Sequence, residues 1–344
     1  MECKIPFILL NINLIRYFYI IKMGQIISAI CYYLNIDVGN MNKMITEPKT
    51  NEIEKIYNSN LIIDTVEYDY VVQKLREFFR KKGFLEAHTQ NRLSIMAACE
   101  DPWTVTSFNY DEQEWPLPQT GQMWLEYELL KRPETPGFYC ISTSYREEPR
   151  PVAGRHDLIF PLFEFEMHGG MEDLIKLEQE LLESLGYDKS KFTRGNYNDV
   201  AKKYEVDELE HEHEQLLYDD DGPTYFLCNF PESTSPFWNM KRDTKTTLAN
   251  KVDVILSGQE TIGSAERETN TYIMKQRFKT ISDGEYRQRL YDLYGKERTD
   301  AELHEYFNFN FFQRSGGGIG VTRLIRSMRK EGLLPESEKP VIVD

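Results

Sequence analysis

The sequence predicts an α+β fold in which helices flank an antiparallel β-sheet, and three observations support this prediction. Hydrophobic residues make up 40% of the 344 residues and aromatic residues 13%, which is enough apolar material for a large packed core. Segments with helical spacing of apolar residues alternate with segments rich in aromatic and β-branched residues. Two of the latter, 138–146 and 159–167, flank a polar stretch with Pro and Gly, which predicts a hairpin rather than a parallel pair.

Each predicted element has its own pattern. The apolar residues of 66–82 recur at helical spacing from Val71 to Phe79, and Gly83 ends this predicted helix. Residues 316–330 are a glycine run that leads into a helix. The remaining predicted elements are the strand 84–88, the amphipathic helix 171–185 and the strands 223–229 and 252–256.

The charge and the cysteines exclude several classes of protein. Lys and Arg number 41 against 56 Asp and Glu, a net charge of −15, which argues against a general nucleic-acid coat but leaves room for a local basic groove. The five cysteines are scattered and never form CxxC, so neither a zinc ribbon nor a disulfide framework is expected. This usage indicates a reducing compartment, and we expect a cytoplasmic protein without a stable membrane partner.

We expect residues 1–60 to be a poorly ordered extension and residues 61–344 to form one domain. The apolar run 4–22 is interrupted by polar residues that include Arg16, which disfavours a membrane helix but leaves a membrane anchor as an alternative. Myristoylation is a further alternative, because a start at Met23 would produce the pattern M-G-x-x-x-S.

The glycine run at 316–320 is the first candidate ligand site. Glycines let the backbone approach a ligand closely, and Arg323, one turn into the helix that follows, can meet a phosphate drawn to the helix N-terminus. The pattern is not a P-loop, because the Lys-Ser/Thr pair is missing. A turn that caps a surface helix is the alternative interpretation.

The loop of the predicted hairpin is the second candidate. Its basic side chains are Arg146, Arg150, Arg155 and His156. Such a cluster repels itself unless an anion compensates it, and a triphosphate is a natural candidate. Phe160, at the start of the return strand, offers a stacking face for a base. A solvated basic turn is the alternative.

Two carboxylates form the third candidate. Asp253 lies in a predicted strand, and Glu260 follows seven residues later. Carboxylates beside a polyphosphate usually hold Mg²⁺, which takes one or two of them together with phosphate oxygens. Arg267 comes next and is of the type that reads a substrate carboxylate or amide. Surface charges around a loop are the alternative.

Together these stretches resemble the signature motifs of class II aminoacyl-tRNA synthetases, most closely the asparaginyl members of the aspartyl, asparaginyl and lysyl subgroup. The resemblance spans residues 60–330 and implies an ATP- and Mg²⁺-dependent ligase of protein biosynthesis that forms an aminoacyl-adenylate. Six segments carry it in the family's order: 97–100 (AACE), 120–126 (TGQMWLE), 145–160 (YREE to RHDLIF), 231–240 (PESTSPFWNM), 260–268 (ETIGSAERE) and 314–323 (RSGGGIGVTR).

The resemblance implies roles around ATP. Arg146 would grip the α-phosphate and stabilise the charge that builds during catalysis, and Arg323 would hold the γ-phosphate. The other ATP ligands would be Glu148 at the adenine edge, Phe160 stacked on adenine, Arg155 and His156 at the outer phosphates, and the backbone at Gly318 and Gly320.

The same resemblance implies metal and amino-acid ligands. Asp253 and Glu260 would hold Mg²⁺. Glu100 would bind the α-amino group of the amino acid, whose pocket would be lined by Gln122, Glu126 and Arg267. Glu126 stands where asparaginyl members carry Glu. Because a carboxylate attracts an amide NH₂ and repels aspartate, we expect asparagine as the substrate, with aspartate as the alternative.

Departures from the family pattern bear on partners and on the acceptor. Gln90 replaces a Pro in the motif that builds the family's dimer interface, although a homodimer is still expected, and Ile159 and Thr322 replace glutamates. The 60 residues before the first motif are shorter than the family's anticodon-binding barrel, so anticodon-dependent charging of tRNA would be hard. Three alternatives stay open: an asparaginyl-tRNA ligase or truncated paralogue of it, an ammonia-using asparagine synthetase, and a catalytically silent regulator.

Overall fold

The computed structural model describes residues 63–89, 93, 95, 101–148 and 157–335. The predicted N-terminal extension, Gln90, Glu100, Arg155 and His156 therefore lie outside the described residues.

An eight-stranded sheet is the centre of the fold. The helices are α1 (Thr65–Lys81), α2 (Gln122–Lys131), α3 (Met171–Ser184), α4 (Tyr197–Lys203), α5 (His211–Asp221), α6 (Thr271–Thr280), α7 (Glu285–Tyr294), α8 (Lys296–Phe307) and α9 (Val321–Lys330). The strands are β1 (Leu85–Glu86), β2 (Ser107–Tyr110), β3 (Gln113–Pro116), β4 (Gly137–Tyr145), β5 (Ile159–His168), β6 (Phe192–Asn196), β7 (Thr224–Phe230), β8 (Ala249–Leu256), β9 (Gln259–Glu266) and β10 (Arg314–Gly320).

The strands of the sheet follow the order β1-β4-β5-β10-β9-β8-β7-β6, and β2 and β3 form a separate hairpin. The pairs β1–β4 and β6–β7 at the two edges are parallel, and the other neighbours are antiparallel. This confirms the predicted α+β fold with an antiparallel sheet. Because β4 and β10 end where β5 and β9 begin, the segments that carry the predicted site meet at one end of the sheet.

Helices cover both faces of the sheet. On one face, Leu75 of α1, Leu174 of α3 and Leu324 of α9 belong to the same buried apolar cluster as Phe163 and Phe165 of β5. On the other face, α2, α6, α7 and α8 build a second apolar cluster, while α4 and α5 cover β7 and β8. The side chains of the predicted site belong to this second face.

The glycine run is itself a strand, β10, between β5 and β9. The sequence pattern does not predict this strand, because glycine is unfavourable in strand interiors. A Cβ at Gly316 would overlap the carboxylate of Glu166, and a Cβ at Gly317 would overlap Ser264. Close packing of three neighbouring strands therefore requires glycine at these two positions.

The predicted helices 66–82 and 171–185 match α1 and α3 to within one residue at each end, and so do both strands of the predicted hairpin. The observed strand β1 has two residues and is therefore shorter than the predicted strand 84–88. Helices α6, α7 and α8 were not predicted, because their many charged residues obscure the apolar spacing. No helix in the described part of the chain is both long enough and apolar enough to cross a membrane.

Candidate functional site

A cavity of about 230 Å³ opens at the end of the sheet where β4 and β10 end; we call it the first cavity. Its walls bring together seven residues that the sequence predicts as ligands of ATP or Mg²⁺: Arg146, Glu148, Phe160, Glu260, Gly318, Gly320 and Arg323. The described wall also contains Asp157, Leu162, Thr261, Gly263 and Thr322.

Arg146 comes directly after β4, and backbone pairing sets its place. Its N–H donates to the carbonyl oxygen of Leu158 at 2.8 Å. Its guanidinium carbon lies 5.5 Å from the centroid of the Phe160 ring, and one guanidinium nitrogen lies 3.8 Å from the carboxylate of Glu148. Since an aromatic face attracts a cation, the hairpin holds a positive charge and a stacking surface on the same wall.

Arg323 lies in the first turn of α9. Its Nη1 donates to the carbonyl oxygen of Glu260 at 2.8 Å and lies 3.9 Å from the Glu260 carboxylate. The helix N-terminus adds partial positive charge to that of the guanidinium. The first cavity therefore has cationic groups from two separate segments, the hairpin loop after β4 and helix α9, as expected of a polyphosphate site.

Asp157 is a wall residue that the sequence did not single out. Arg326, three residues after Arg323 on α9, donates through Nη2 to both Asp157 oxygens at 3.1 Å. This pair fixes the described end of the hairpin loop to α9. A pair between a loop and a distant helix leaves no spacing pattern in the sequence, so there was no local signal from which to find it.

Asp253 on β8 and Glu260 on β9 converge over Gly263. The register places Asp253 opposite Gly263, and an irregularity after Val254 shifts the pairing before Glu260 is reached. A Cβ added to Gly263 would lie 3.2 Å from Oε1 of Glu260 and 3.7 Å from Oδ1 of Asp253. Glycine at this position keeps the space between the two carboxylates open.

The two carboxylates fit a divalent cation. Asp253 is 8% exposed, and its Oδ1 has no hydrogen-bond partner among the described residues. Burial raises the pKa of Asp253 to about 7; Lys251 offsets part of this effect and Glu260 adds to it. The described residues contain no cluster of three or more His, Cys, Asp or Glu groups suited to a metal ion. Mg²⁺ bound together with phosphate needs only one or two carboxylates, so this pair is sufficient.

A second cavity, of about 200 Å³, shares four wall residues with the first: Arg146, Glu260, Gly263 and Gly318. Its deeper wall includes Gln122, Lys251 and Arg267. The Nε2 of Gln122 donates to the carbonyl oxygen of Phe165 at 2.9 Å and to Glu166 at 2.6 Å. Its buried Oε1 has no partner among the described residues, so it is an available acceptor.

Glu126 lies one helical turn deeper than Gln122 and is fully buried. Its carboxylate accepts hydrogen bonds from Asn239 at 2.8 Å, Tyr306 at 2.6 Å and Arg314 at 2.6 Å. It is on the wall of neither the first nor the second cavity. Its carboxylate nevertheless lies 3.6 Å from Arg267, which does line the second cavity, so the expected role of Glu126 in the amino-acid pocket stays a prediction.

Glu166 is likewise on the wall of neither cavity, but it contacts two residues of the second cavity's wall, Gln122 and Arg267. Its carboxylate pairs with Arg267 at 3.1 Å, and both side chains are buried. Burial raises the pKa of Glu166 to about 7, and Arg267 offsets only part of this effect. Burial would also raise the pKa of Glu126, but Arg314 and Arg267 together hold it below its usual value.

Three functional candidates, Glu166, Lys251 and Arg314, were missed in the sequence. Each is a charged residue of a strand: Glu166 lies within the predicted strand 159–167, Lys251 comes one residue before the predicted strand 252–256, and Arg314 begins β10. A charged residue in or beside an apolar strand is the sequence signal that could have identified them, because a buried charge must be paired or must bind a ligand.

The chain belongs to the family of class II tRNA synthetases (D, K and N), whose family model matches residues 58–333. This is an enzyme family, and the match confirms the resemblance seen in the motif segments. Among curated relatives, the chain is 24% identical over 292 residues to the aspartate–tRNA(Asp) ligase of Thermococcus kodakarensis. It is 24% identical over 294 residues to the aspartate–tRNA(Asp/Asn) ligase of Archaeoglobus fulgidus. Each match covers 75% of this chain and 63% of the relative, so the chain spans less than two thirds of their length.

Solved structures share the fold. The asparaginyl-tRNA synthetase of Pyrococcus horikoshii, complexed with asparaginyl-adenylate, superimposes with a TM-score of 0.62 at 21% identity, covering 77% of this chain and 64% of that one. The asparaginyl-tRNA synthetase of Entamoeba histolytica, also with asparaginyl-adenylate, has a TM-score of 0.64 at 17% identity, covering 83% and 72%. At these identities the likeness shows the fold alone.

Proposed function

We propose that the chain uses ATP to activate asparagine, with aspartate as the alternative, forming an aminoacyl-adenylate and pyrophosphate. The observation that carries this proposal is that the two cavities meet at Arg146. A phosphate-sized space with two cationic groups thus adjoins a small polar pocket. Both reactants would be held side by side, and this positioning is a large part of what such a reaction needs.

Each residue has a defined part in the reaction. Arg323 would bind the outer phosphates and Phe160 would stack on the base, whose edge Glu148 would read. A carboxylate oxygen of the amino acid forms a bond to the α-phosphorus, and the bond from that phosphorus to the bridging oxygen breaks, so pyrophosphate leaves with the electron pair. Arg146 would stabilise the negative charge that develops on the α-phosphate, and no protein nucleophile takes part.

Asp253 and Glu260 would hold Mg²⁺, which when bound neutralises and aligns the phosphate oxygens. Gly263 keeps the space between these carboxylates free. The other expected ligands Glu100, Arg155 and His156 lie outside the described residues.

The charge of the deeper pocket favours asparagine over aspartate. Glu126, Glu166, Arg267 and Arg314 form one buried network of two negative and two positive groups. An amide beside this neutral network adds no unpaired charge. A carboxylate would need its own positive partner or a proton, and Lys251 on the same cavity wall is already paired with Asp253. Asparagine is therefore favoured by the whole network rather than by Glu126 alone.

The acceptor is proposed to be a tRNA 3′ end, as in the aspartate–tRNA ligases to which the chain is similar. The protein would work in the cytoplasm and, like its family, as a homodimer. Ammonia as the acceptor, or a silent protein that binds ATP without reacting, would be recognised by the experiment that follows.

Pyrophosphate–ATP exchange with each amino acid tests the proposal. We expect exchange with asparagine, weaker exchange with aspartate, and none without Mg²⁺. Arg146→Ala and Arg323→Ala should abolish exchange, whereas Arg329→Ala, an exposed arginine of α9 that pairs with Glu67, should keep it. Absence of exchange with every amino acid would overturn the proposal in favour of a silent protein. Addition of tRNA or ammonia to the preformed adenylate then identifies the acceptor.

A further inference from the structure

Lys251 is a positively charged residue on the wall of the second cavity. It belongs to none of the motif segments and has no role in the proposed reaction. It lies on β8, two residues before Asp253, so both side chains point to the same face of the sheet. Its Nζ lies 2.7 Å from Oδ2 of Asp253 and 4.1 Å from the centroid of the Phe230 ring. The ammonium group is thus held between a carboxylate and an aromatic face.

A third cavity, of about 180 Å³, adjoins the second, since Lys251 and Glu260 are on the walls of both. Five carboxylates line this third cavity: Glu208, Glu210, Glu214, Asp253 and Glu260. Among its described wall residues, Lys251 is the only lysine or arginine. The ammonium therefore supplies the permanent positive charge of a strongly acidic region.

The two oxygens of Asp253 are placed differently. Oδ2 accepts the hydrogen bond from Lys251, while Oδ1 has no partner among the described residues and lies toward the space over Gly263 that Glu260 also faces. A divalent cation between Asp253 and Glu260 would bind through the second oxygen of a carboxylate whose first oxygen already bears an ammonium. Two cations on one carboxylate repel each other.

We propose that Lys251 is a positioning residue of the cation site: its ammonium group holds Asp253 in place and weakens the binding of a divalent cation in the absence of nucleotide. The inference rests on the proposed function, because it takes Asp253 and Glu260 as the cation ligands. When ATP is bound, the negative charge of its phosphate oxygens offsets the repulsion between Lys251 and the metal ion. The metal ion therefore binds well only together with ATP.

Titration of the nucleotide-free protein with Mn²⁺, followed by the electron paramagnetic resonance signal of free Mn²⁺, tests this proposal. Lys251→Met removes the charge, so we expect it to bind Mn²⁺ about tenfold more tightly than the unmodified protein. Lys251→Arg keeps the charge and should bind as the unmodified protein does. Lys241→Met is the matched control, since Lys241 pairs with Glu266 at 3.0 Å on the opposite face of the sheet.

Unchanged or weaker Mn²⁺ binding by Lys251→Met, with an unchanged melting temperature, overturns the role of Lys251. If Lys251→Met does not fold, Lys251→Gln is measured by the same criterion. Asp253→Asn distinguishes this failure from failure of the cation site itself. If Asp253→Asn binds Mn²⁺ as tightly as the unmodified protein, with and without ATP, both the site and the inference built on it are overturned.

Discussion

The guanidinium of Arg267, on the wall of the second cavity, lies 3.1 Å from the carboxylate of Glu166, and both groups are buried. Arg314 pairs in the same way with Glu126 behind them, at 2.6 Å. The network carries no net charge when all four groups are ionised. The protonation state of Glu166 therefore decides whether this network is neutral or positive, and under the proposed function this charge would bear on the choice of amino acid.

We predict that the preference for asparagine over aspartate depends on pH. Burial raises the pKa of Glu166 to about 7, so this carboxyl gains a proton as the pH falls through neutrality and the network becomes positive by one charge. Aspartate supplies the matching negative charge. Its exchange rate relative to asparagine should rise as the pH falls from about 8 to about 6, by at most about tenfold per pH unit.

The measurement is the ratio of kcat/KM for the two amino acids in pyrophosphate exchange. Glu166→Gln cannot titrate, so its ratio should be flat with pH and shifted toward aspartate throughout. A ratio that does not change with pH in the unmodified protein would contradict a role of Glu166 in substrate choice.

The parts of the site that the sequence predicts are those held in short contiguous segments. Arg146 and Phe160 flank one hairpin loop, and Gly318 and Arg323 lie within six residues, so local spacing reveals them. Local spacing does not predict how deeply a side chain is buried. Gln122 is on the wall of the second cavity, whereas Glu126, only four residues later, lies behind Arg267 and is not on that wall.

The buried network of Glu126, Glu166, Arg267 and Arg314 could not be predicted from the sequence for a related reason. Glu166 comes from β5, Arg267 follows β9 and Arg314 begins β10, and these strands become neighbours only through the sheet order. The glycine run was similarly obscure, because local propensity argues against a strand and only tertiary packing makes glycine necessary there. Long-range pairing thus decides what local pattern leaves open.

Gly318→Ala and Gly317→Ala should fail in different ways. A Cβ at Gly318 would meet no atom closer than 3.5 Å, so the fold should be kept while the methyl group narrows the first cavity. We expect a higher KM for ATP at an unchanged melting temperature. A Cβ at Gly317 would overlap Ser264, and such overpacking costs about 1–3 kcal/mol of stability. Equal losses of stability in both variants would contradict the conclusion that there is room for a methyl group at position 318 but not at position 317.

Glu214 on α5 should set the Mg²⁺ requirement through Glu260. Its Oε2 accepts a hydrogen bond from the backbone N–H of Glu260 at 2.6 Å, which fixes the start of β9. Glu214→Ala should raise the Mg²⁺ concentration for half-maximal exchange by about tenfold, the value of one hydrogen bond to a charged group. Glu214→Gln keeps an acceptor oxygen and should show a smaller rise. Glu212→Ala, an exposed position on the same helix, is the control, and an equal effect there would refute the specific contact.

Glu126 should prove more important for stability than for substrate choice. Its carboxylate is bound by Asn239, Tyr306 and Arg314, and Glu126→Gln would leave the buried guanidinium of Arg314 without its closest negative partner. Breaking one side of a buried pair costs about 3–5 kcal/mol, so urea denaturation should show a loss of that order.

The control for this prediction is Glu128→Gln on the same helix, whose pair with Arg132 is partly exposed and should contribute less than about 1 kcal/mol. Substrate choice should change little in Glu126→Gln, because the carboxylate reaches the pocket only through Arg267, 3.6 Å away. If instead Glu126→Gln kept full stability and lost its preference for asparagine, the carboxylate would have to contact the substrate directly. The ratio of exchange rates, measured beside the denaturation curves, separates the two roles in one set of variants.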